Sequence, residues 1–149
     1  MNFWLLKSEP DEFSIDDLRR SSPEPWTGVR NYLARNYLRA MKVGDQAFFY
    51  HSSCAEPGIV GIVSIQQEAT ADLSAYDPQS PYFDANSTRE KPRWFAPQVA
   101  FSSKCRSILS LRELKSHSEL ARFTLLQKGN RLSVMPVSTE HWQFIFNLL

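Results

Sequence analysis

Two apolar segments separated by a short polar stretch place the strongest limit on how this 149-residue chain can fold. Residues 46–51 read QAFFYH and residues 59–65 read IVGIVSI, a run rich in β-branched residues. β-Branched and aromatic residues favour strands, and the SSCAEPG between the two runs is short enough for a hairpin connection. The sequence therefore predicts an antiparallel strand pair, around which the other elements have to pack.

Three more strands are predicted outside this hairpin. Apolar runs at residues 2–7, 93–101 and 131–137 are typical of strands, and Pro97 in the second run indicates a sheet edge or a bulge. Residues 72–92 are polar, contain three prolines and show no periodicity. This segment is predicted to be a long loop, and loops of that length are commonly functional or mobile.

Capping signals mark where helices begin. Ser14 is followed three residues later by Asp17, and Ser110 is followed by Glu113, which are both forms of the capping box. A C-terminal amphipathic helix is predicted within residues 138–149, again after a hydroxyl residue. Each signal predicts a short helix that follows a strand or a loop.

These elements predict a mixed fold. Strands and helices alternate without regular βαβ spacing, and the hairpin implies antiparallel pairing. The expected fold class is mixed α/β or α+β, with a curved sheet or partial barrel flanked by helices. Because there is no internal repeat and no linker, we expect a single domain over residues 1–149.

Basic residues are unevenly distributed, although the net charge is only +1. Residues 19–42 carry six basic residues against Glu24 alone, and residues 101–133 carry seven against two acidic residues, whereas the first 18 residues are net acidic. A basic face on a nearly neutral body is typical of proteins that bind nucleic acid. The alternative is a scattered, solvated set of surface charges.

The stretch WTGVRNYLARNYLRAMKVGD, residues 26–45, combines loop and helix. Apolar residues recur at helical spacing from Val29 to Met41, which predicts a helix that begins near Asn31 and ends before Gly44. Basic side chains in and before this helix are candidates for phosphate contacts. They are Arg30, Arg35, Arg39 and Lys42.

Trp26 lies in the loop before this helix, after two prolines and close to the basic cluster. A loop tryptophan followed by arginine and asparagine supplies a stacking plane, a phosphate contact and an amide that can pair with a base edge. The alternative is that Trp26 only anchors the loop to the body. Trp4 and Trp142, which lie within apolar runs, are expected in the core.

The sequence contains no catalytic signature. It has no G-x-S-x-G, no H-E-x-x-H and no phosphate-binding Walker loop. The histidines are expected to be surface or packed residues, with His51 kept as a candidate because it ends a predicted strand beside Ser52. We therefore expect neither catalysis nor a metal or cofactor.

The cysteines and the N-terminal segment indicate the cellular compartment of the protein. Cys54 and Cys105 are too few and too far apart for a CxxC metal site, and they do not suggest a disulfide framework. The apolar run near the N-terminus is too short for a signal peptide or a membrane span. We expect a cytoplasmic protein with reduced thiols and no membrane partner.

Four segments together closely resemble the EVE domain. They are FWLLKSEPDEFSIDDL (3–18), WTGVRNYLARNYLRAMKVGDQAFFYHSSCAEPGIVGIV (26–63), YFDANSTREKPRW (82–94) and QKGNRLSVMPVSTEHWQFI (127–145). The resemblance extends in order over essentially the whole chain. The EVE domain belongs to the PUA-like fold and is similar to the YTH domain, which reads a methylated adenine in RNA through an aromatic cage. The resemblance implies a reader of modified bases in DNA or RNA without established catalytic activity.

The resemblance also implies roles for individual residues of a base pocket. Lys7 and Ser8 match a Lys-Ser pair that leaves the first strand and borders the pocket. Trp26 matches the tryptophan that forms one wall. Asn31 matches a position whose side chain contacts the base edge.

The remaining pocket residues are implied in the same way. His51 and Ser52 match the rim after the next strand. Tyr82, Phe83 and Trp94 bracket the long loop that corresponds to the one donating cage aromatics in YTH domains. This loop lacks a tryptophan before Trp94, so the resemblance leaves the second wall and the favoured modification open.

Two alternatives come from other functional classes. In a PUA-like ribonuclease or other hydrolase, Lys7, Glu9 and His51 would form an acid–base set around a phosphodiester. In a protein-interaction module, exposed aromatic residues would bind a peptide. The sequence does not distinguish DNA from RNA, and it leaves the oligomeric state open.

Overall fold

Six strands form one open, curved sheet in the computed structural model, which describes residues 1–149. The strands are β1 (Phe3–Ser8), β2 (Glu24–Pro25), β3 (Gln46–His51), β4 (Gly58–Ala71), β5 (Phe95–Ser110) and β6 (Val134–Val137). Their order across the sheet is β2-β5-β4-β3-β1-β6. The β1–β3 pair is parallel and the other neighbours are antiparallel. The predicted hairpin is confirmed as β3–β4, and the mixed fold class is confirmed with it.

Four helices flank the sheet, each after a side-chain cap. They are α1 (Ile15–Ser21), α2 (Tyr32–Ala40), α3 (Leu111–Lys115) and α4 (Thr139–Phe146), with caps at Ser14, Asn31, Ser110 and Ser138. The helices predicted from capping signals and apolar spacing are therefore confirmed. None of the helices combines the length and the apolar character needed to cross a membrane.

The central strands are longer than the apolar runs predicted. β4 has 14 residues because it continues past Ile65 to pair with residues 95–98. β5 has 16 residues because it continues past Phe101 to pair with the first residues of β4. Gln67 pairs with Gln98 and Thr70 with Ala96, so an extra residue of β4 lies opposite Pro97. The bulge predicted at this proline is confirmed, since proline cannot donate to the ladder.

Apolar clusters lie on both faces of the sheet. One contains Trp4 and Leu6 of β1 together with residues of α1 and α2, and it includes Trp26. The other contains Leu5 of β1 together with Trp142 of α4. Successive strand residues point to opposite faces, so β1 contributes to both clusters. The core positions predicted for Trp4 and Trp142 are confirmed.

The ends of strands that lie far apart in the sequence meet at one edge of the sheet. Because β1 and β3 are parallel, both strands end there, with Ser8 opposite His51. β6 runs antiparallel to β1, so its N-terminal end reaches the same edge. Trp26 follows β2 at the far side of the strand order, yet its ring packs edge-on against Phe49 of β3 at 5.5 Å between centroids. The curvature of the sheet brings these segments together around a cavity.

Candidate functional site

A cavity of about 580 Å³ lies where these segments converge. Small-molecule sites usually measure about 300–1,000 Å³, so its volume is in the normal range for such a site. Its lining comes from the ends of β1 and β3, the approach to α1, the segment around β2, the long loop and the approach to β6. The lining residues are 7–9, 12–13, 24–30, 52–53, Tyr82, Arg131 and Ser133.

Trp26 forms an aromatic wall of this cavity. Its ring packs edge-on against Phe13 and Phe49, and its backbone N–H donates to the carbonyl of Pro97 at 2.9 Å. Only 7% of the residue is exposed, yet its indole N–H donates to no group of the chain. No buried side-chain nitrogen or oxygen lacks a partner, so this N–H reaches solvent. Trp26 is therefore part of the core, lines the cavity and keeps an indole N–H that no group of the chain uses.

Tyr82 of the long loop lies against Gly28 and closes another side of the cavity. Gly28 has φ +87°, and a Cβ atom there would come within 2.8 Å of the Tyr82 ring. The Tyr82 hydroxyl donates to the Glu12 carboxylate at 3.1 Å. Burial, together with this hydrogen bond, raises the pKa of Tyr82, which keeps its hydroxyl protonated as a donor.

Arg30 holds this wall in place and has no donor left for a ligand. Its guanidinium makes five hydrogen bonds, to the carbonyls of Tyr82 (twice) and Val29, the Asp72 carboxylate and the Ser74 hydroxyl. A guanidinium carries five N–H donors, so all of them are used within the chain. Arg30, which the sequence suggested for phosphate, instead joins the Trp26 loop to the long loop.

Asp72 is the buried partner of this arginine. Its side chain has no exposed surface, and it accepts hydrogen bonds from the backbone N–H of Gly28 at 2.9 Å and from Arg30 at 3.0 Å. The Ser74 backbone and hydroxyl also donate to it. Burial alone would raise the pKa of Asp72, but these hydrogen bonds outweigh it and the pKa is lowered. Asp72 therefore stays ionised and fixes the loop that carries Gly28.

Lys7 and Ser8 line the cavity where β1 ends. The Ser8 hydroxyl donates to the Phe13 carbonyl at 2.5 Å, and the Ser8 carbonyl accepts from the Ser52 N–H at 3.0 Å. Lys7 is half-buried, and its ammonium lies 6.0 Å from the centre of the Tyr50 ring without a carboxylate within 4.0 Å. Burial lowers the pKa of Lys7 because the charged form is desolvated. An anion beside this ammonium would relieve that cost.

Four charged residues in the lining are not among the predicted base-pocket or phosphate-binding residues, although Glu9 was considered for the hydrolase alternative. Arg131 approaches β6, and the Lys7 N–H donates to the Ser133 carbonyl at 2.8 Å, which places the two segments side by side. Glu9, Glu12 and Glu24 add carboxylates to the lining. The β1–β6 pairing that positions Arg131 is non-local, so only the resemblance of residues 127–145 could have indicated it.

Four of the predicted pocket residues, Asn31, His51, Phe83 and Trp94, lie outside the cavity lining. The Asn31 side-chain oxygen accepts from the Ala34 N–H at 2.9 Å and caps α2. Phe83 is 44% exposed on the long loop. Trp94 stacks on Tyr32 at 5.0 Å. The structure therefore brings Tyr82 to the cavity but not Phe83 or Trp94, the other two aromatic candidates.

His51 also lies outside the lining, and its Nε2 accepts the backbone N–H of Ile15 at 3.1 Å. This bond ties the first turn of α1 to the end of β3. The acid–base set of Lys7, Glu9 and His51 considered for a hydrolase is therefore not assembled around the cavity. Burial lowers the pKa of His51 from its ordinary value of 6.5, because the charged ring is desolvated. The neutral ring is the form that accepts the Ile15 N–H.

We expect the stability of the protein to fall as the pH drops below about 6.5, because unfolded His51 binds a proton more readily than folded His51. The loss continues until the lower folded pKa is reached. His51→Gln keeps a hydrogen-bond acceptor but does not titrate, so its urea midpoint should change less between pH 7 and pH 5.5. Equal pH slopes for both proteins would contradict this assignment.

The basic residues of α2 and its C-terminal side are engaged at the surface. Arg35 donates to the Arg93 carbonyl at 3.0 Å, and its guanidinium lies 4.8 Å from the centre of the Tyr32 ring. Arg39 lies 4.4 Å from the Phe95 ring, and Lys42 pairs with Glu68 at 3.1 Å. None of these cations lines the cavity.

The family model of the EVE domain matches residues 2–148. Thymocyte nuclear protein 1 of Gallus gallus is 43% identical over 164 residues, which cover 97% of this chain and 67% of that protein. A protein of Pseudomonas putida with a solved structure is 52% identical with a TM-score of 0.95, and 98% of each chain is covered. Human THYN1 protein, solved in complex with 5-methylcytosine containing DNA, is 38% identical with a TM-score of 0.92, over 99% of this chain and 97% of that one.

A more distant likeness supports the fold. The YTH domain of Zygosaccharomyces rouxii MRB1 protein, solved in complex with N6-methyladenosine RNA, is 13% identical with a TM-score of 0.56, over 99% of this chain and 85% of that one. At that identity the likeness concerns the fold alone, and it agrees with the PUA-like architecture expected from the sequence. Because the family model and the relatives both span nearly the whole chain, this protein belongs to the EVE domain family.

Proposed function

We propose that this protein binds nucleic acid and takes one modified base into the cavity beside Trp26. The observation that carries the proposal is an aromatic wall with a free indole N–H at a cavity of about 580 Å³. The structure of human THYN1 protein with 5-methylcytosine containing DNA supports the same class of ligand. Binding without chemistry is favoured because His51, the one histidine considered for acid–base work, points its Nε2 to the backbone of Ile15.

The energetics require a base that is free of its duplex partner. Flipping a base out of a duplex costs a few kcal/mol, and stacking on an aromatic side chain returns about 1–3 kcal/mol. A methyl group packed in the cavity adds about 0.8 kcal/mol, which corresponds to a few-fold preference. Charge contacts to phosphate must supply much of the remaining affinity.

Lys7 and Arg131 are the cavity cations best placed for those charge contacts. Both line the cavity and neither has a carboxylate within 4.0 Å, whereas Arg30 uses every donor within the chain. The cations Arg35 and Arg39 face outward from α2 and are proposed as weaker contacts, because their guanidinium groups already lie on aromatic rings. The backbone of the bound strand would then pass mainly over the β1–β6 side of the cavity.

The test of the function is a titration with short single-stranded DNA and RNA that carry one 5-methylcytosine, one N6-methyladenine or no modification. We expect binding at low salt, with a modified oligonucleotide bound a few-fold to tenfold more tightly than its unmodified control. Matched duplexes should bind more weakly because of the flipping cost. Failure of every oligonucleotide to bind at low salt would reject the function.

Removing the two cavity cations should weaken binding to all sequences alike. For Lys7→Met with Arg131→Gln, we expect the slope of log affinity against log salt to fall by about 1.4, since each phosphate contact on a single strand contributes about 0.7. Arg122→Gln, an exposed change in the segment between α3 and β6, is the matched control and should leave the slope unchanged. A larger effect of Arg35→Gln with Arg39→Gln would place the strand over α2 instead.

A further inference from the structure

Glu24 is a carboxylate in the cavity that no group of the chain neutralises. It is half-buried and lines the cavity, and its side chain takes part in no hydrogen bond and no ion pair. Partial burial of an ionised carboxylate is unfavourable unless hydrogen-bond donors surround it. Because no buried side-chain oxygen lacks a partner, the Glu24 oxygens reach solvent and remain available to donors of a ligand.

The position of Glu24 on β2 sets it beside the aromatic wall. Directly paired residues of neighbouring strands point to the same face of a sheet. Glu24 pairs with Val99 of β5, and Val99 packs in the same apolar cluster as Trp26. Pairing of Glu24 with Val99, and the hydrogen bond from the Trp26 N–H to the Pro97 carbonyl, fix this short strand to β5. A base stacked on Trp26 would therefore have close to its edge a carboxylate that is carried on a fixed backbone.

The other two carboxylates of the lining are less suited to this contact. Glu12 already accepts the Tyr82 hydroxyl at 3.1 Å. Glu9 is exposed in the turn after β1 and is not held on a strand. Glu24 is thus the carboxylate that combines partial burial, a fixed backbone and a free side chain.

We propose that Glu24 determines specificity, by selecting a base that carries an exocyclic amino group over one that carries a carbonyl there. The inference rests on the proposed function and names its substrate class. An ionised carboxylate only accepts hydrogen bonds, so it pairs with an amino group, whereas a base carbonyl would leave two acceptors facing each other.

The experiment compares 5-methylcytosine with thymine, which share the 5-methyl group and differ by an amino group against a carbonyl. The probes are a short single-stranded thymidine oligonucleotide and the same oligonucleotide with one central 5-methylcytosine. We expect the wild-type protein to prefer the 5-methylcytosine probe by about tenfold to a hundredfold, as for other base-edge pairs. Glu24→Gln, whose amide can turn to face either group, should reduce the preference to within about threefold.

The ratio of the two affinities is the readout, because the loss of a negative charge at position 24 changes the affinity for both probes alike. Glu140→Gln on α4, on the opposite face of the sheet, is the matched control and should retain the wild-type ratio. Equal binding of the two probes by the wild-type protein, or an unchanged ratio in Glu24→Gln, would overturn the role of Glu24. Absence of binding to either probe, and to every oligonucleotide in the earlier titration, would instead reject the function itself.

Discussion

Trp26→Ala is expected to abolish measurable binding of modified oligonucleotides and to lower the free energy of unfolding by about 3–5 kcal/mol. The binding loss follows from removal of the stacking surface, worth about 1–3 kcal/mol, and of the indole donor. The stability loss follows from the packing of Trp26 against Phe13 and Phe49 within the core. Urea unfolding and fluorescence anisotropy titrations would measure the two effects separately.

Two conservative tryptophan-to-phenylalanine substitutions separate the effect of Trp26 on binding from its effect on stability. Trp26→Phe keeps an aromatic plane but removes the indole N–H, so we expect its affinity to fall about tenfold. Trp142→Phe makes the same chemical change on the other face, where Trp142 stacks on Phe3 at 4.4 Å and on Phe48 at 3.9 Å. It should lose stability but bind like the wild-type protein. Equal losses of affinity in both variants would show that Trp26 acts only through the fold.

Asp72→Ala is expected to lower the free energy of unfolding by about 3–5 kcal/mol, because removal of one partner leaves the other charge of a buried pair uncompensated. The change frees Arg30 and the Gly28 N–H, which Asp72 holds in place. With them the Tyr82 wall loses its support, so affinity for oligonucleotides should fall as well. Urea unfolding at neutral pH measures the first effect, and titration of the folded variant measures the second.

The control for this prediction is Asp11→Ala, an exposed aspartate whose side chain makes no hydrogen bond, which should change stability by less than about 0.5 kcal/mol. The pH dependence gives a further check. Because the pKa of Asp72 is lowered from 3.8, its contribution is complete above that value and is lost as the pH falls through the folded pKa. Similar acid unfolding of the wild-type protein and Asp72→Ala would contradict the role assigned to this carboxylate.

Local signals in the sequence were sufficient for most of the fold. Apolar runs and capping residues act over a few neighbours, so the β3–β4 hairpin and the start of α2 at Asn31 could be predicted. The parallel pairing of β1 with β3 could not, since it depends on contacts between distant segments. Nor could β2, which has two residues and exists because it pairs with β5.

The site was predictable where its residues lie in recognisable local settings. The loop position of Trp26 and the end of the first strand at Lys7 predicted two residues that line the cavity. Arg131 and Glu24 reach the cavity through strand pairing and sheet curvature, which no short motif encodes. The sequence also could not show that all five guanidinium N–H donors of Arg30 bind groups of the chain, because its partners on the long loop lie far away in sequence.

The contact between Gly28 and Tyr82 links the width of the cavity to the backbone itself. The tyrosine ring occupies the space that a side chain at position 28 would fill, so the two segments pack directly against each other. A side chain at position 28 would displace the ring, and with it the hydrogen bond to Glu12. The shape of this side of the cavity therefore depends on the absence of a Cβ atom at position 28.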